Sequence, residues 1–396
     1  MEHKSKNFFY KCFLLLFIFS FTNTNVICAF NEPLIRVLIA REKKLRIRSD
    51  GSIPLKILDK DFSAKRIKGF TVKKINNKNI LFFDKDNEKF YAINNKRNFL
   101  VKSSDKRGMW IKGKRYHGKV NLIFLANEIL VVNILGIEKY LSSVVGSEMP
   151  HKWHIEALKA QAIASRTYAL RKKGNELFDL DSTQNDQVYN GLESSTNTTR
   201  RAVRKTRSLV MTYKNKLINA LFHSSSGGIT ENSEDVWTNK YAYLRSVKDF
   251  DQKNPKVKWQ KRFSKNELKN LFPLIGDIQE INIENISNTG RVKTLKITGD
   301  IGSKIISGKE FRRKTNLRST LFRLKTFKDF EKQLNNDNFN SSSDTFLIIT
   351  GMGSGHGVGM SQWGARYMAR RGYKSNQILK HFYKGIDIKP FKNIYK

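Results

Sequence analysis

GIEKYLSSVVGSEMPHKWHIEALKAQAIASRTYAL, residues Gly136 to Leu170, is where this chain changes from a strand-like to a helical pattern. Ile137 to Val145 has helical character, and Gly146-Ser147-Glu148-Met149-Pro150 is expected to break it. A second, stronger helix is predicted from Ile155 to Lys173, with apolar residues at Ile155, Leu158, Ala162, Ala169 and Leu170 and Ala enriched throughout. Pro150 fits a break between two helices better than any interior position, because it lacks an amide hydrogen and its ring clashes with the preceding turn. The junction therefore places Glu148 beside Met149, Pro150 and Trp153. Apolar neighbours raise a carboxyl pKa by desolvation, which suits a general acid. An ordinary charge near a helix end is the plainer reading, and composition alone favours it.

N-terminal to this junction, brief apolar runs at Ile35–Ala40, Ile80–Phe83, Phe90–Ile93 and Asn121–Phe124 are separated by turn-forming pairs, so residues 30–133 read as β-rich. C-terminal to it, residues 196–207 form a further helix, and Leu209–Tyr213 pairs with Leu217–Phe222 as a hairpin around Lys214-Asn215-Lys216. Residues 134–250 thus read as the first part of a helical core and 251–345 as a β-rich insertion, its strands within 276–325. A polar stretch, Asn335–Asp344, closes the insertion. Residues 346–396 complete the core with a strand (Phe346–Thr350), a Gly-rich loop and helices near Ser361–Arg371 and Gln377–Tyr383. The expected class is α+β.

Two further segments stand out. His223-Ser224-Ser225-Ser226-Gly227-Gly228 follows a strand, and its Ser/Gly run offers backbone N–H groups to a ligand or makes a flexible loop. No G-x-S-x-G elbow accompanies it. Gly351 to Gly364 (GMGSGHGVGMSQWG) alternates glycine with other residues between a strand and a helix, without the order of a phosphate loop or a dinucleotide fingerprint. Its backbone can pass close to an extended ligand, with His356, Gln362 and Trp363 in the cleft. His151 and His154 share a helical face but lack an HExxH frame or a thiolate partner, so neither metal nor cofactor is expected.

Lys4, Lys6 and Lys11 precede or flank the apolar run Cys12–Phe21, and Ile27 and Ala29 suit cleavage before Phe30. Residues 1–29 read as a secretory signal, too short for comfortable spanning; left uncleaved, the segment would be a membrane tether. A composition of 39% hydrophobic and 28% charged residues excludes a multi-span membrane protein. Only Cys12 and Cys28 exist, so the exported chain has no disulfide. Net charge is +39, and loss of three Lys and one Glu with residues 1–29 leaves +37. Such charge suits polyanionic cell-wall polymers or an anionic membrane surface, although scattered Lys without a block is also what compositional bias produces. Export and the lack of any RNP-type or helix-turn-helix signature argue against nucleic acid.

The motifs SEMP, EALKAQA-x-A-x-RTYA, SSSGG-x-TENSEDVW and GHGVGMSQWGA, in this order, resemble the sporulation stage II protein D family, also called the amidase-enhancer family. The resemblance runs over Gly136–Leu170, Thr183–Asp249 and Thr350–Gly385. It implies a lytic transglycosylase that cuts the β-1,4 bond between N-acetylmuramic acid and N-acetylglucosamine in peptidoglycan glycan strands, with Glu148 as acid and base and a 1,6-anhydro sugar as product. One carboxylate suffices, where hydrolysis usually needs a pair. It further implies a substrate stripped of stem peptides, an N-acetylmuramoyl-L-alanine amidase acting first, and a cleft drawn from Lys159, Gln161, Arg166, Tyr168, His223, Ser226, Gly227, Gly228, His356, Gln362 and Trp363. A non-catalytic, glycan-binding enhancer of that amidase is the rival. Ser354 stands where relatives often carry Trp, and Ser208 where Gly is usual. Some relatives hold zinc through Cys and His; without Cys here, that site is not carried over.

Overall fold

Residues 32–393 are described by a computed structural model, except 52, 59–65, 76–78, 84–88, 95–97 and 327–344. The signal-like segment 1–29 and the polar stretch Asn335–Asp344 lie outside the described residues. Residues from Pro33 onward form one contact unit, a mixed α+β fold with a β-rich N-terminal part.

Two antiparallel layers make that N-terminal part. One runs, in spatial order, Leu180–Asp181, Leu34–Glu42, Ile129–Gly136, Lys119–Phe124, Asn98–Lys102, Leu55–Ile57, Arg66–Ile67, with only its first pair parallel. The other runs Lys114–Tyr116, Met109–Ile111, Lys44–Ser49, Gly69–Lys74, Asn79–Phe83, Lys89–Asn94. Strict alternation buries Leu45, Ile47 and Ser49 and exposes Lys44, Arg46 and Arg48, as a strand with one covered face requires. Phe70, Phe82 and Phe99 meet between the layers, with centroids 4.6–6.3 Å apart. Their core is continuous with that of the helices.

Helix α1 (Ile137–Glu148) leaves the strand Ile129–Gly136 directly. It does not break at Gly146, as the sequence suggested, but continues through Glu148. Met149 is extended at φ −130°, ψ 139°, because the residue before a proline is pushed out of the helical region. Gly146 is needed for contact rather than for breaking: a Cβ there would sit 1.9 Å from the Ser194 carbonyl oxygen. Helix α2 (Ile155–Lys172) is buried on almost every side between α1, α3 (Asn197–Lys205) and the C-terminal helices. Its Ala157, Ala160, Ala162, Ala164 and Ala169 let neighbours approach closely. His154 caps it, with Nδ1 accepting from the Glu156 N–H at 3.3 Å.

The hairpin forms from Leu209–Tyr213 and Lys216–Leu217, turning through Lys214 and Asn215 at positive φ. Its second arm is shorter than expected. The expected last residue, Phe222, instead joins His223 in a separate strand, parallel to Met360–Ser361. The short helix α4 (Ser233–Val236) follows. The insertion has its own core around Phe263, Leu295, Phe311 and Ile349, built from two three-stranded sheets with α5 (Lys265–Leu271) and α6 (Gly308–Lys314). The strand expected at Phe346–Thr350 is Thr345–Met352, and it lies centrally in an insertion sheet between Lys258–Ser264 and Phe322–Thr326. The chain then returns to α7 (Gln362–Arg370), capped by Ser361, and α8 (Ser375–Phe382). Among the described residues no helix is long and apolar enough to cross a membrane.

Candidate active site

Glu148 is the last residue of α1, and its two carboxylate oxygens have separate donors. Oε1 accepts from the Val188 N–H at 2.8 Å and Oε2 from Gln362 Nε2 at 3.1 Å. Burial raises its pKa, and the two hydrogen bonds hold that rise in check. The carbonyl end of α1 acts in the same direction as burial. The result is a carboxyl that protonates more readily than usual, yet whose ionised form has donors waiting.

Val188 lies in a segment that side chains from three elements fix in place. Gln187 accepts from Tyr140 Oη at 3.0 Å and donates to the Ser165 carbonyl at 3.4 Å. Tyr189 Oη donates to Asn133 at 2.8 Å. Asp186 receives Tyr168 Oη at 2.7 Å, together with Lys172 and the Asp181 N–H. Tyr168 therefore touches the segment that carries Val188.

The parallel pairing of Phe222–His223 with Met360–Ser361 brings the two Gly/Ser segments together. Ser225 and Ser354 exchange backbone hydrogen bonds of 3.0 and 2.7 Å, and the Glu231 N–H donates to the Gly357 carbonyl at 2.8 Å. His223 donates from Nδ1 to the Val358 carbonyl at 3.1 Å, leaving Nε2 buried and, among the described residues, without a partner. His356 Nδ1 instead accepts from the Val358 N–H at 3.0 Å. The two rings lie 5.4 Å apart, with Trp237 5.1 Å from His356. Burial, reinforced by nearby cations, lowers both pKa values, that of His356 to about 3, so both rings are neutral near pH 7. Ser226 is fully buried and donates to Asp249 at 2.5 Å. Burial and the charge of Asp251 push Asp249 up to about 6. The Gly227 N–H donates to Asp251 at 2.7 Å, and positive φ at Gly227 and Gly228 suits glycine alone. The loop is therefore hydrogen-bonded through Ser225, Ser226 and Gly227. Arg291 of the insertion reaches the Ser226 carbonyl at 2.6 Å.

Trp363 follows Gln362, and its N–H donates to the Ser224 carbonyl at 3.1 Å. Its ring meets Trp153 edge-on at 5.0 Å, and the Arg366 guanidinium packs 4.6 and 5.2 Å from the two rings. Glu148, Gln362, Trp363 and Trp153 are thus linked by direct contact or chain adjacency.

Other expected cleft residues have intramolecular partners. Lys159 pairs with Glu156 at 2.8 Å, and Gln161 Nε2 donates to Ser165 Oγ at 3.0 Å. Arg166 is buried in a two-pronged ion pair with Glu138 at 2.9 and 2.6 Å, and also donates to the Leu209 carbonyl at 3.1 Å. The Val188 amide, Gln187 and Arg366 did not stand out in the sequence. A backbone N–H has no side-chain signature, and Gln187 lies in a polar stretch without periodicity.

Comparison with known proteins gives the same family. Residues 126–213 match the family described as Stage II sporulation protein, and 238–359 a domain of unknown function (DUF8618). The chain is 36% identical over 285 residues to Stage II sporulation protein D of Bacillus amyloliquefaciens, covering 65% of this chain and 75% of that protein. It is 36% identical over 301 residues to an uncharacterized protein of Brachyspira hyodysenteriae, covering 73% and 76%. To the amidase enhancer of Bacillus subtilis it is 30% identical over 333 residues, covering 71% of this chain but 45% of that protein. The chain belongs to the stage II sporulation protein D family.

Proposed function

We propose that this protein is an exported lytic transglycosylase that cuts peptidoglycan glycan strands with Glu148. Membership of the family supports a cell-wall role. The observation that carries the finer reading is the partly buried Glu148 carboxyl, with its pKa raised by desolvation and one donor on each oxygen. Protonated Glu148 gives its proton to the glycosidic oxygen as the bond to the muramic acid anomeric carbon breaks. The resulting carboxylate, held by Gln362 and Val188, takes the proton of the muramic acid 6-hydroxyl, whose oxygen closes onto that carbon. One bond breaks and one forms, the proton on Glu148 is restored, and no water enters. The paired Trp153 and Trp363 rings offer apolar surface for sugar faces. Residues 1–29 would direct export to the cell envelope, and an N-acetylmuramoyl-L-alanine amidase would prepare the strands.

The likeness to an amidase enhancer supports a second reading, in which the chain binds glycan and stimulates that amidase without cutting. Mass spectrometry of peptide-free glycan strands incubated with the protein separates the two. Anhydro-ended fragments that disappear with Glu148→Gln establish the transglycosylase; intact strands with bound protein favour the enhancer.

A further inference from the structure

The geometry points to a second recognition element beside Glu148: a basic pocket on α7 that holds the free lactyl carboxylate of a peptide-free muramic acid unit. This rests on the glycan reading above. Gln362, Arg366 and Arg370 are spaced four apart on α7, so they form one row along the helix, at about 6 Å per step. The first of the row touches Glu148. The others, with Trp363, Tyr367 and Arg371, line an open pocket of about 140 Å³, to which Phe250 and Lys253 also contribute. Phe250 stacks on Tyr367 at 5.8 Å, and Lys253 and Arg371 pack against that same ring.

Four cations thus surround one small cavity, and none makes an ion pair among the described residues. The one carboxylate in the lining, Asp251, is buried and engaged by Ser225 and the Gly227 N–H. The carbonyl end of α7 accounts for cations at Arg370 and Arg371, but not for Arg366 on the Trp rings or for Lys253 on another segment. A strand held at Glu148 and passing over Trp363 brings its substituents to this row. In intact peptidoglycan the lactyl group is a neutral amide carrying the stem peptide; once the peptide is removed it is a carboxylate. Arginine forks bind carboxylates with two parallel hydrogen bonds and gain nothing comparable from an amide. The pocket therefore reads whether the stem peptide is gone.

The test measures binding of the full chain carrying Glu148→Gln, which keeps strands uncut. The probes are peptide-free strands, the same strands with lactyl carboxylates converted to methylamides, and peptide-bearing strands. The expected result is at least about tenfold weaker binding of the methylamide strands, the scale of one charge-assisted hydrogen bond. Adding Arg370→Gln with Arg371→Gln, both exposed, brings that ratio close to one, whereas the Arg→Lys pair retains part of it. Equal binding of peptide-free and methylamide strands overturns the pocket while leaving the glycan reading intact. Undiminished discrimination in the Arg→Gln pair likewise overturns the assignment to α7. Failure to bind any strand overturns both.

Discussion

Gln362 Nε2 donates to Glu148 Oε2 at 3.1 Å, joining the end of α1 to the start of α7 across 214 positions of sequence. The donor secures one carboxylate oxygen while the Val188 amide secures the other. Neither donor is a second acid, so Glu148 is the one group of these three that can change protonation state.

Glu148→Gln removes the titrating proton with little change of shape. Formation of anhydro ends should fall by at least about 100-fold, the usual scale for loss of a general acid. Mass spectrometry of digested strands reads the loss, and a thermal midpoint within a few degrees of the parent's excludes unfolding as its cause.

The raised pKa also makes a stability statement. Between the ordinary carboxyl value of 4.5 and the higher folded value, the folded state holds more proton than the unfolded one. The stabilising effect of this group is therefore fully present below pH 4.5 and lost as pH rises through the folded value. Glu148→Gln lacks that dependence. Urea unfolding from pH 4 to 8 should show the variant gaining on the parent as pH rises, then a constant difference. A difference independent of pH would mean that the carboxyl is not perturbed.

Arg166 and Glu138 test the separation of scaffold from site. Removing either partner leaves a charge in a place where its counterpart has gone. Arg166→Ala should cost about 3–5 kcal/mol in urea unfolding. Replacing both residues with apolar ones of similar volume should recover much of that loss. A small cost together with weakened glycan binding would instead make Arg166 a ligand contact.

Ser208 sits at φ 62°, in the left-handed region that favours glycine. The resemblance described above implied glycine at this position. Ser208→Gly should stabilise the protein by about 1 kcal/mol. The backbone N–H, which donates to Glu138 at 3.3 Å, is unchanged. A raised urea midpoint at constant slope would register the gain.

Gly146→Ala should be strongly destabilising, by about 1–3 kcal/mol or more, because the new methyl meets the Ser194 carbonyl oxygen. Loss of activity here would follow loss of α1 packing, so unfolding and activity should decline together.

Local chemistry made several elements legible. Alanine enrichment and apolar spacing give α2 almost to the residue, and Pro150 stops α1, although one turn later than Gly146 suggested. The four brief apolar runs of the N-terminal part each fall in a strand, and Lys214-Asn215 marks the turn of the hairpin that follows Leu209. Glu148 stood out only through the resemblance of its SEMP motif, because its near neighbours alone are equally those of an ordinary charge at a helix end. What surrounds it was decided at longer range. Phe222 leaves the hairpin for Met360 because only tertiary contact offers it that partner, and this pairing aligns the SSSGG and GHGVG segments. Val188 reaches Glu148 through an amide that every residue but proline possesses, so no choice of side chain announces it. Arg166 has the composition of a ligand contact but the surroundings of a core ion pair, because the helices packed around α2 take it out of water and bring Glu138 to it. The sequence by itself determined most of which segments are helix, strand and turn, because those depend on near neighbours. The donors on Glu148, and the placing of the α7 row beside it, were decided by tertiary structure, because hydrogen bonds and burial depend on distances between residues far apart in the chain.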